Sequence, residues 1–236
     1  KKPSLVKVMK NLLVQTVLLQ RYPLQVSLFF NDNNFKLINP IIDNEKVDLC
    51  MADMVRTAEY CVHLSMPKAL DMDDLLSMRY KRQMAIDSEF VNPYGSFLYS
   101  LPDFIKKLLM RPLIKRAVTK NEASLLENYE KLNANEFDIT ILVAKQECQK
   151  LNSSINEVKA YPVPIGVDTD YFTSYGAMSE KYSGAIVFVG ALAVAHNCFA
   201  VAYFIENIFP IILEKKPDAR FVVIGGGASK DLLNLK

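Results

Sequence analysis

Three carboxylates lie together in the segment Asp71-Met72-Asp73-Asp74, which follows a short apolar run. Like charges this close repel one another unless a cation, an arginine or substrate hydroxyl groups compensate them. Asp71, Asp73 and Asp74 are therefore candidates for contact with a hydroxyl-rich substrate. Helix capping is the alternative, because Asp73 or Asp74 could accept amide hydrogen bonds at the start of a helix predicted from Leu75. Both interpretations stay open, with at least one aspartate expected in each role.

Arg56 is a candidate for binding an anion. It lies in the first turn of a helix predicted from Asp53 to Leu64, where a positive charge opposes the helix dipole. An anionic ligand or a carboxylate partner would compensate that charge. The acidic segment 71–74 is one possible partner, and Glu59 in the same helix is the other.

Two glycine turns near the carboxyl end of the chain could bind a phosphate. Gly190 ends an apolar strand, and Asn197 is predicted as the N-cap of the next helix, so the amides from Gly190 through Ala191 to Asn197 could face an anion. The run Gly225-Gly226-Gly227 follows the next apolar strand and repeats this pattern, with Ser229 as the cap. Tight packing is the alternative for each turn. The spacing does not match G-x-G-x-x-G, which argues against a dinucleotide dehydrogenase.

The segment Phe104–Lys120 mixes lysines and arginines with large apolar residues. A helix pair of this composition fits the surface of an anionic membrane. An amphipathic helix with a solvated basic face is the alternative.

Composition excludes several function classes. The net charge of +2, from 28 basic and 26 acidic residues, gives no general attraction to nucleic acid. Only His63 and His196 are present, too few for a histidine metal site or a Ser-His-Asp triad. Four scattered cysteines without a C-x-x-C pair indicate reduced core thiols. No apolar run of bilayer-spanning length and no signal peptide is found, so a cytoplasmic location is predicted, with the inner face of the membrane as an alternative.

Helix and strand signals alternate along the chain. Apolar spacing predicts a helix over 5–19, and the run Gln25–Phe30 predicts a buried strand closed by Asn31–Asn34. Later strands are predicted at 47–51, 68–71, 138–144 and 157–163, with a helical insertion over 74–131. This alternation predicts a parallel α/β sheet. A second β-α-β unit is predicted over 185–224.

The segment Tyr161–Phe172 predicts a linker between two domains. Its prolines stiffen the exit from a strand, its glycine permits a turn, and its aspartate can bind neighbouring amides. The predicted limits are 1–163 for the first domain, 164–183 for the linker and 184–236 for the second.

Several segments resemble, in family order, the retaining glycosyltransferases of family 4 (group 1), and among them bacterial exopolysaccharide sugar transferases. The segments are Val47–Tyr60, Pro67–Ser77, Phe137–Val143, Pro164–Phe172, Val187–Gly190 and Ala219–Gly225, and the linker motif is the most specific of them. The resemblance implies the GT-B fold: a Rossmann-like acceptor domain with a helical insertion, and the start of a second, Rossmann-like domain for the nucleotide sugar.

The resemblance implies transfer of a hexose, with retention, from a nucleoside diphosphate sugar to a saccharide or lipid-linked acceptor in cell-surface polysaccharide synthesis. It implies no metal and no cofactor besides the donor. Gly190 would approach the donor diphosphate, and Gly225 with Gly226 would lie near the nucleoside. Asp73 stands where many members carry the His of a His-Asp pair, so Asp73 and Asp74 are the catalytic candidates.

The chain also departs from the family pattern. Ile165 replaces the usual Asn of the linker, and Ala191–Ala195 lacks the Arg and Lys that often neutralise the diphosphate. The glycine-rich amino-terminal loop and the downstream Glu-x7-Glu motif of the family are expected to fall outside these 236 residues, so both ends are expected to be truncated and the chain alone to be inactive. A non-catalytic binding or assembly protein on a GT-B shell is the alternative. An epimerase would need a Tyr-x-x-x-Lys pair, which Tyr22 and Tyr129 lack.

Overall fold

The computed structural model describes residues 3–86, 92–172, 182–228 and 230–234. Contacts divide the chain into two compact units, Lys1–Gly166 and Val167–Lys236. The division lies inside the segment 164–183 that the sequence predicts as a linker. Each unit has its own parallel sheet.

Unit 1 combines a four-stranded sheet with a set of helices. Its helices are α1 (Leu5–Asn11, continued by a π-helical stretch, Leu12–Leu18), α2 (Leu24–Phe29), α3 (Phe35–Asn44), α4 (Leu76–Ile86), α5 (Asp103–Leu109), α6 (Pro112–Glu136) and α7 (Lys145–Asn152). Short 3-10 helices occupy Asp32–Asn34, Val55–Tyr60 and Gly95–Ser100. Its strands are β1 (Cys50–Asp53), β2 (Lys68–Asp73), β3 (Ile139–Leu142) and β4 (Ala160–Pro162).

The four strands of unit 1 lie side by side in the order β1-β2-β3-β4, and all pairs are parallel. The core around them is closely packed: Leu70, Leu142, Leu126 and Phe137 have no exposed surface. Helices α4 and α6, which follow β2 and precede β3 in the chain, pack against each other. The predictions of a parallel α/β sheet and of a helical insertion over 74–131 are therefore confirmed.

The predicted strand at Gln25–Phe30 is wrong, because this segment forms α2. Pro23 precedes the helix, and its first two amides, from Leu24 and Gln25, donate to the Glu122 carboxylate at 2.5 and 3.0 Å. Four consecutive residues, Gln25 to Leu28, are buried, so burial does not alternate along the segment although apolar and polar residues do. A short buried run of this kind does not distinguish strand from helix by periodicity. Asn31–Asn34 consequently does not follow a strand.

The next predicted elements are displaced. The strand expected at 47–51 begins at Cys50 and extends to Asp53, so Asp53 ends a strand rather than starting a helix. The helix expected from Asp53 to Leu64 is reduced to the 3-10 helix Val55–Tyr60. Met54, between β1 and the 3-10 helix, has a φ of 62°, a backbone conformation that belongs to neither a strand nor a right-handed helix.

Unit 2 contains a two-stranded parallel sheet. Its elements are β5 (Ile186–Val189), α8 (Ala195–Tyr203, continued by a π-helical stretch, Phe204–Ile208), α9 (Phe209–Lys215), β6 (Phe221–Ile224) and α10 (Lys230–Leu233). Val201 is buried, and the rings of Phe204 and Phe221 lie 4.5 Å apart, which fixes the helices to the sheet.

One helix of the described residues, His196–Lys215, is long and apolar enough to cross a membrane by length and composition alone. The prediction that no apolar run of the sequence is long enough to span a bilayer is therefore wrong. The run contains Glu206 as its one charged residue before Glu214 and Lys215 at its end.

Candidate functional site

The carboxyl end of the unit 1 sheet brings several acidic residues together. Asp53 and Asp71 pair in register on β1 and β2, and a bulge separates Asp71 from Asp73, which pairs with Leu142 on β3. Ligands of parallel sheets collect at this edge, because strands end there and loops diverge. The sequence-predicted residues Asp71, Asp73 and Asp74 therefore occupy one edge of the sheet.

Asp73 is held in an unusual conformation at this edge. Its φ is 61°, in the left-handed region that non-glycine residues rarely adopt. Its amide donates to Asp71 Oδ1 at 3.2 Å, and its carbonyl accepts from the amide of Val143 at 2.9 Å. Both contacts fix the backbone, while the exposed Asp73 carboxylate has no hydrogen-bond or ion-pair partner among the described residues.

The electrostatic surroundings of Asp73 favour its neutral form. Partial burial raises the pKa of the Asp73 carboxyl above its ordinary value, and the negative charges of Asp71, Asp53 and Asp74 raise it further. Arg79 acts in the opposite direction. A carboxyl whose pKa lies closer to neutrality exchanges protons more readily with a hydroxyl group.

Asp74 is bound within the protein. Its carboxylate accepts two hydrogen bonds from the Arg79 guanidinium, both at 2.6 Å, in a bidentate ion pair. This pair joins the loop after β2 to the first turn of α4. Of the two catalytic candidates, only Asp73 keeps its carboxylate available to a ligand.

Arg56 lies in the 3-10 helix after β1 and has neither predicted partner. Its guanidinium packs over the Phe29 ring at 4.9 Å and donates to Met54 Sδ at 3.1 Å. Glu59 accepts instead from the hydroxyls of Tyr22 and Tyr129, at 2.6 and 2.8 Å. Because the chain forms a short 3-10 helix here and not the expected α-helix, Arg56 and Glu59 contact different neighbours and do not pair with each other. Within the described residues, the charge of Arg56 has no carboxylate partner.

Glutamates far along the chain cap α4, and sequence reasoning missed them. Glu130 accepts from the Ser77 amide and hydroxyl at 3.0 and 2.5 Å, and Glu147 accepts from the Leu75 amide at 3.1 Å. Burial raises the pKa of the Glu130 carboxyl to about 7, although the bonds from Ser77 oppose the shift. The sequence signal for these buried glutamates is the helical spacing of Glu122 and Glu130, which places both on the buried face of α6. Capping of α4 therefore does not need Asp73 or Asp74.

The two glycine turns of unit 2 lie against each other. The Gly190 amide donates to the Ile224 carbonyl at 3.0 Å, and the Leu192 amide donates to the Gly226 carbonyl at 2.8 Å. A Cβ on Gly225 would lie 1.8 Å from the Gly190 carbonyl oxygen. Gly225 is therefore required for close backbone approach. The packing interpretation accounts for Gly190 and Gly225, while Ala191 is exposed between them.

Asn197 is not the N-cap of α8. The helix begins two residues earlier, with Val194 at the cap position, and the Asn197 side chain donates to the Ala191 carbonyl at 3.1 Å. Asn197 thus fastens the turn after β5 from inside the first helical turn. The other predicted cap, Ser229, lies outside the described residues.

The segment Phe104–Lys120 forms α5 and the first third of α6. The side chains of Phe104 and Leu113 are 73% and 84% exposed, and Lys107 and Arg111 in the same segment are also exposed. Large apolar and basic side chains thus share this surface. Lys106 pairs with Asp103 at 3.1 Å.

No protein-family model matches the chain, and no curated protein matches it. Among the described residues, no group of three or more His, Cys, Asp or Glu side chains is arranged to hold a metal ion. The functional assignment consequently depends on the residues at the carboxyl edge of the unit 1 sheet and at the glycine turns that follow the strands of unit 2.

Proposed function

We propose that the chain is part of a retaining glycosyltransferase of the GT-B type, which transfers a hexose from a nucleoside diphosphate sugar to a saccharide or lipid-linked acceptor. The observation that supports this best is the carboxyl edge of the unit 1 sheet. There, among the described residues, Asp73 presents an unpaired carboxylate from a strained backbone, and Arg56 presents a cation without a carboxylate partner. Strained residues of this kind concentrate at functional sites.

In this proposal the acceptor binds at the unit 1 edge. The Asp73 carboxylate accepts a hydrogen bond from the acceptor hydroxyl and takes its proton as the new bond forms between that oxygen and the anomeric carbon, on the face from which the diphosphate leaves, so that the configuration is retained. The bond from the anomeric carbon to the diphosphate oxygen breaks, and the diphosphate leaves with the electron pair. Arg56 binds an anionic group of the acceptor, Asp71 orients Asp73, and Asp74 acts through Arg79.

The donor binds at the glycine turns of unit 2, with its diphosphate near Ala191 and the start of α8 and its nucleoside near Gly226. Backbone amides and the helix dipole stabilise the leaving diphosphate, so the reaction needs no metal. Peripheral contact of Phe104–Lys120 with the inner face of the membrane would place the protein near a lipid-linked acceptor.

The donor assignment is tested by titrating the chain with UDP, GDP and ADP in a calorimeter. Ala191→Trp should weaken binding of the preferred nucleotide at least tenfold, because the indole covers the turn. Ala200→Trp is the matched control, since Ala200 is also an exposed alanine of unit 2. Equal affinity in the two variants would remove the donor site from this turn.

The acceptor assignment is tested by saturation-transfer NMR with glucose, mannose and glucuronate. Asp73→Asn should reduce the signal of every bound sugar, and Arg56→Gln should reduce that of glucuronate most, because it removes the cation. Asp43→Asn, in exposed α3, is the control. Sugar signals that do not respond to Asp73 or Arg56 would exclude this edge as the acceptor site.

One observation favours the alternative of a non-catalytic binding or assembly protein. The amides of Gly190 and Leu192 are already bound to the carbonyls of Ile224 and Gly226, so fewer amides of this turn can reach a diphosphate. Sugar binding without binding of any nucleoside diphosphate would support this alternative over the transferase.

A further inference from the structure

Two cavities flank the amino-terminal half of α6. The first, of about 380 Å³, is mostly apolar: its lining includes Leu12, Val17, Leu28, Leu109 and Val118, and Glu122 is its one ionisable carboxyl group among the described residues. The second, of about 510 Å³, lies between α4 and α6. Both volumes fall within the range of roughly 300–1,000 Å³ that small-molecule sites occupy.

The second cavity is basic. Arg116 and Lys120, one turn apart on α6, line it and are exposed, and neither has an ion-pair partner in the part of the chain that the structure describes. Lys81 also lines it, but its charge is balanced by Glu127, which accepts from Lys131 as well. Two uncompensated positive charges therefore face this cavity. Ser124 adds a hydroxyl group to the lining.

Consecutive residues of α6 line the two cavities. Arg116 faces the basic cavity and Ala117 the apolar one, and the same holds for Lys120 and Asn121. Because consecutive residues project about 100° apart around a helix that is about 10–12 Å wide with its side chains, the two cavities approach each other to less than one helix width at the surface of α6. Ala117, Asn121 and Ser124 are exposed and small, so α6 presents no bulky barrier between them.

We propose that the two cavities form one binding site for an anionic amphiphile. A single alkyl chain occupies the apolar cavity, and the phosphate attached to it lies between Arg116 and Lys120. This site uses no residue of either sheet edge, so it does not depend on the transferase proposal. The ligand chemistry, an alkyl chain ending in a phosphate, could come from a membrane phospholipid or from a soluble lipid phosphate.

The test measures binding of hexyl, octyl and decyl phosphate to the 236-residue chain by calorimetry, below their micellar concentrations. Affinity should rise about fourfold per added methylene until the apolar cavity is filled. Octyl glucoside, which has the chain without the charge, should bind at least tenfold more weakly than octyl phosphate. Equal affinity for the two would overturn the proposal.

Two variants separate the halves of the site. Arg116→Gln with Lys120→Gln should lower octyl phosphate affinity by about fivefold per charge at low salt and leave the chain-length dependence intact. Lys36→Gln with Lys46→Gln, both exposed, is the control of equal charge. Ala117→Trp should abolish the chain-length dependence by covering the apolar cavity, whereas Asn128→Trp on the exposed face of α6 should not. A chain-length dependence that survives Ala117→Trp would refute the proposal.

Co-sedimentation with vesicles of phosphatidylcholine containing phosphatidylglycerol distinguishes the two sources. Vesicle binding that is lost in the Arg116/Lys120 and Ala117 variants identifies a membrane phospholipid as the ligand. Alkyl phosphate binding without vesicle binding identifies a soluble lipid phosphate. Both results support the site, while vesicle binding that is unchanged in these variants, together with absent alkyl phosphate binding, overturns it.

Discussion

Replacement of Glu122 by glutamine should change how the stability of the protein depends on pH. Glu122 is 1% exposed, and its carboxylate accepts from the amides of Leu24 and Gln25. Burial raises the pKa of the Glu122 carboxyl from 4.5 to about 7, even though the two amide bonds lower it. The folded state therefore favours the protonated form.

The size of the effect follows from that shift. A raised pKa in the folded state means that stability is fully present below pH 4.5 and is lost as the pH rises through about 7. With about 1.36 kcal/mol per pKa unit, the total loss is about 3.4 kcal/mol, of which about 2–3 kcal/mol falls between pH 5 and 8. Glu122→Gln stays neutral throughout, so its free energy of unfolding should gain that amount relative to wild type as the pH rises.

Urea unfolding of both proteins at pH 5, 6, 7 and 8, followed by far-UV circular dichroism, measures this difference. Glu130 titrates in both proteins, so its contribution cancels in the comparison. Glu136→Gln, at an exposed position of the same helix, should differ from wild type by less than about 0.5 kcal/mol. A Glu122→Gln difference that stays constant with pH would show that the amide bonds balance burial, and one that favours wild type as the pH rises would show that they outweigh it; either result would refute the raised pKa.

Three other perturbations test individual features. Gly225→Ala should lower the free energy of unfolding of unit 2 by at least about 2 kcal/mol, because its Cβ would meet the Gly190 carbonyl, whereas Gly226→Ala, with nothing within 4 Å, should change it little in thermal unfolding. Asp73→Gly should raise the free energy of unfolding by up to about 1 kcal/mol through relief of the left-handed conformation; a loss of stability would contradict the strain. Diamide should join Cys50 to Cys61, whose sulfurs lie 2.9 Å apart, and leave Cys148 and Cys198 free in a peptide map; any other pairing would be inconsistent with this geometry.

Elements whose signals are local could be predicted from the sequence. The apolar run after Pro67 gives β2, and the long run of strong helix formers after Pro112 gives α6. A proline marks the start of each element, so both elements can be located from the local sequence alone. The acidic residues at the carboxyl end of β2 can be located for the same reason.

The errors concern residues whose partners are distant in sequence. α2 depends on Glu122, which lies 98 residues from Leu24, and no local pattern indicates this contact. The pairing of Arg56 with Glu59, one of its two predicted partners, requires a full α-helix, but the chain forms only a short 3-10 helix after Met54, and Arg56 packs over Phe29. In each case tertiary contacts override local preference.

The long-range helix capping has a consequence for the order of folding. α2 has six residues, too few to be stable alone, and its cap is supplied by Glu122 of α6. The first turn of α4 likewise receives Glu130 and Glu147 from 53 and 72 residues away. Because such contacts require closure of long loops, α2 should acquire its structure only after α6 has docked. A nascent chain that ends before α6 would therefore expose the α2 segment as an unstructured, apolar stretch, and chaperones would be expected to recognise it there.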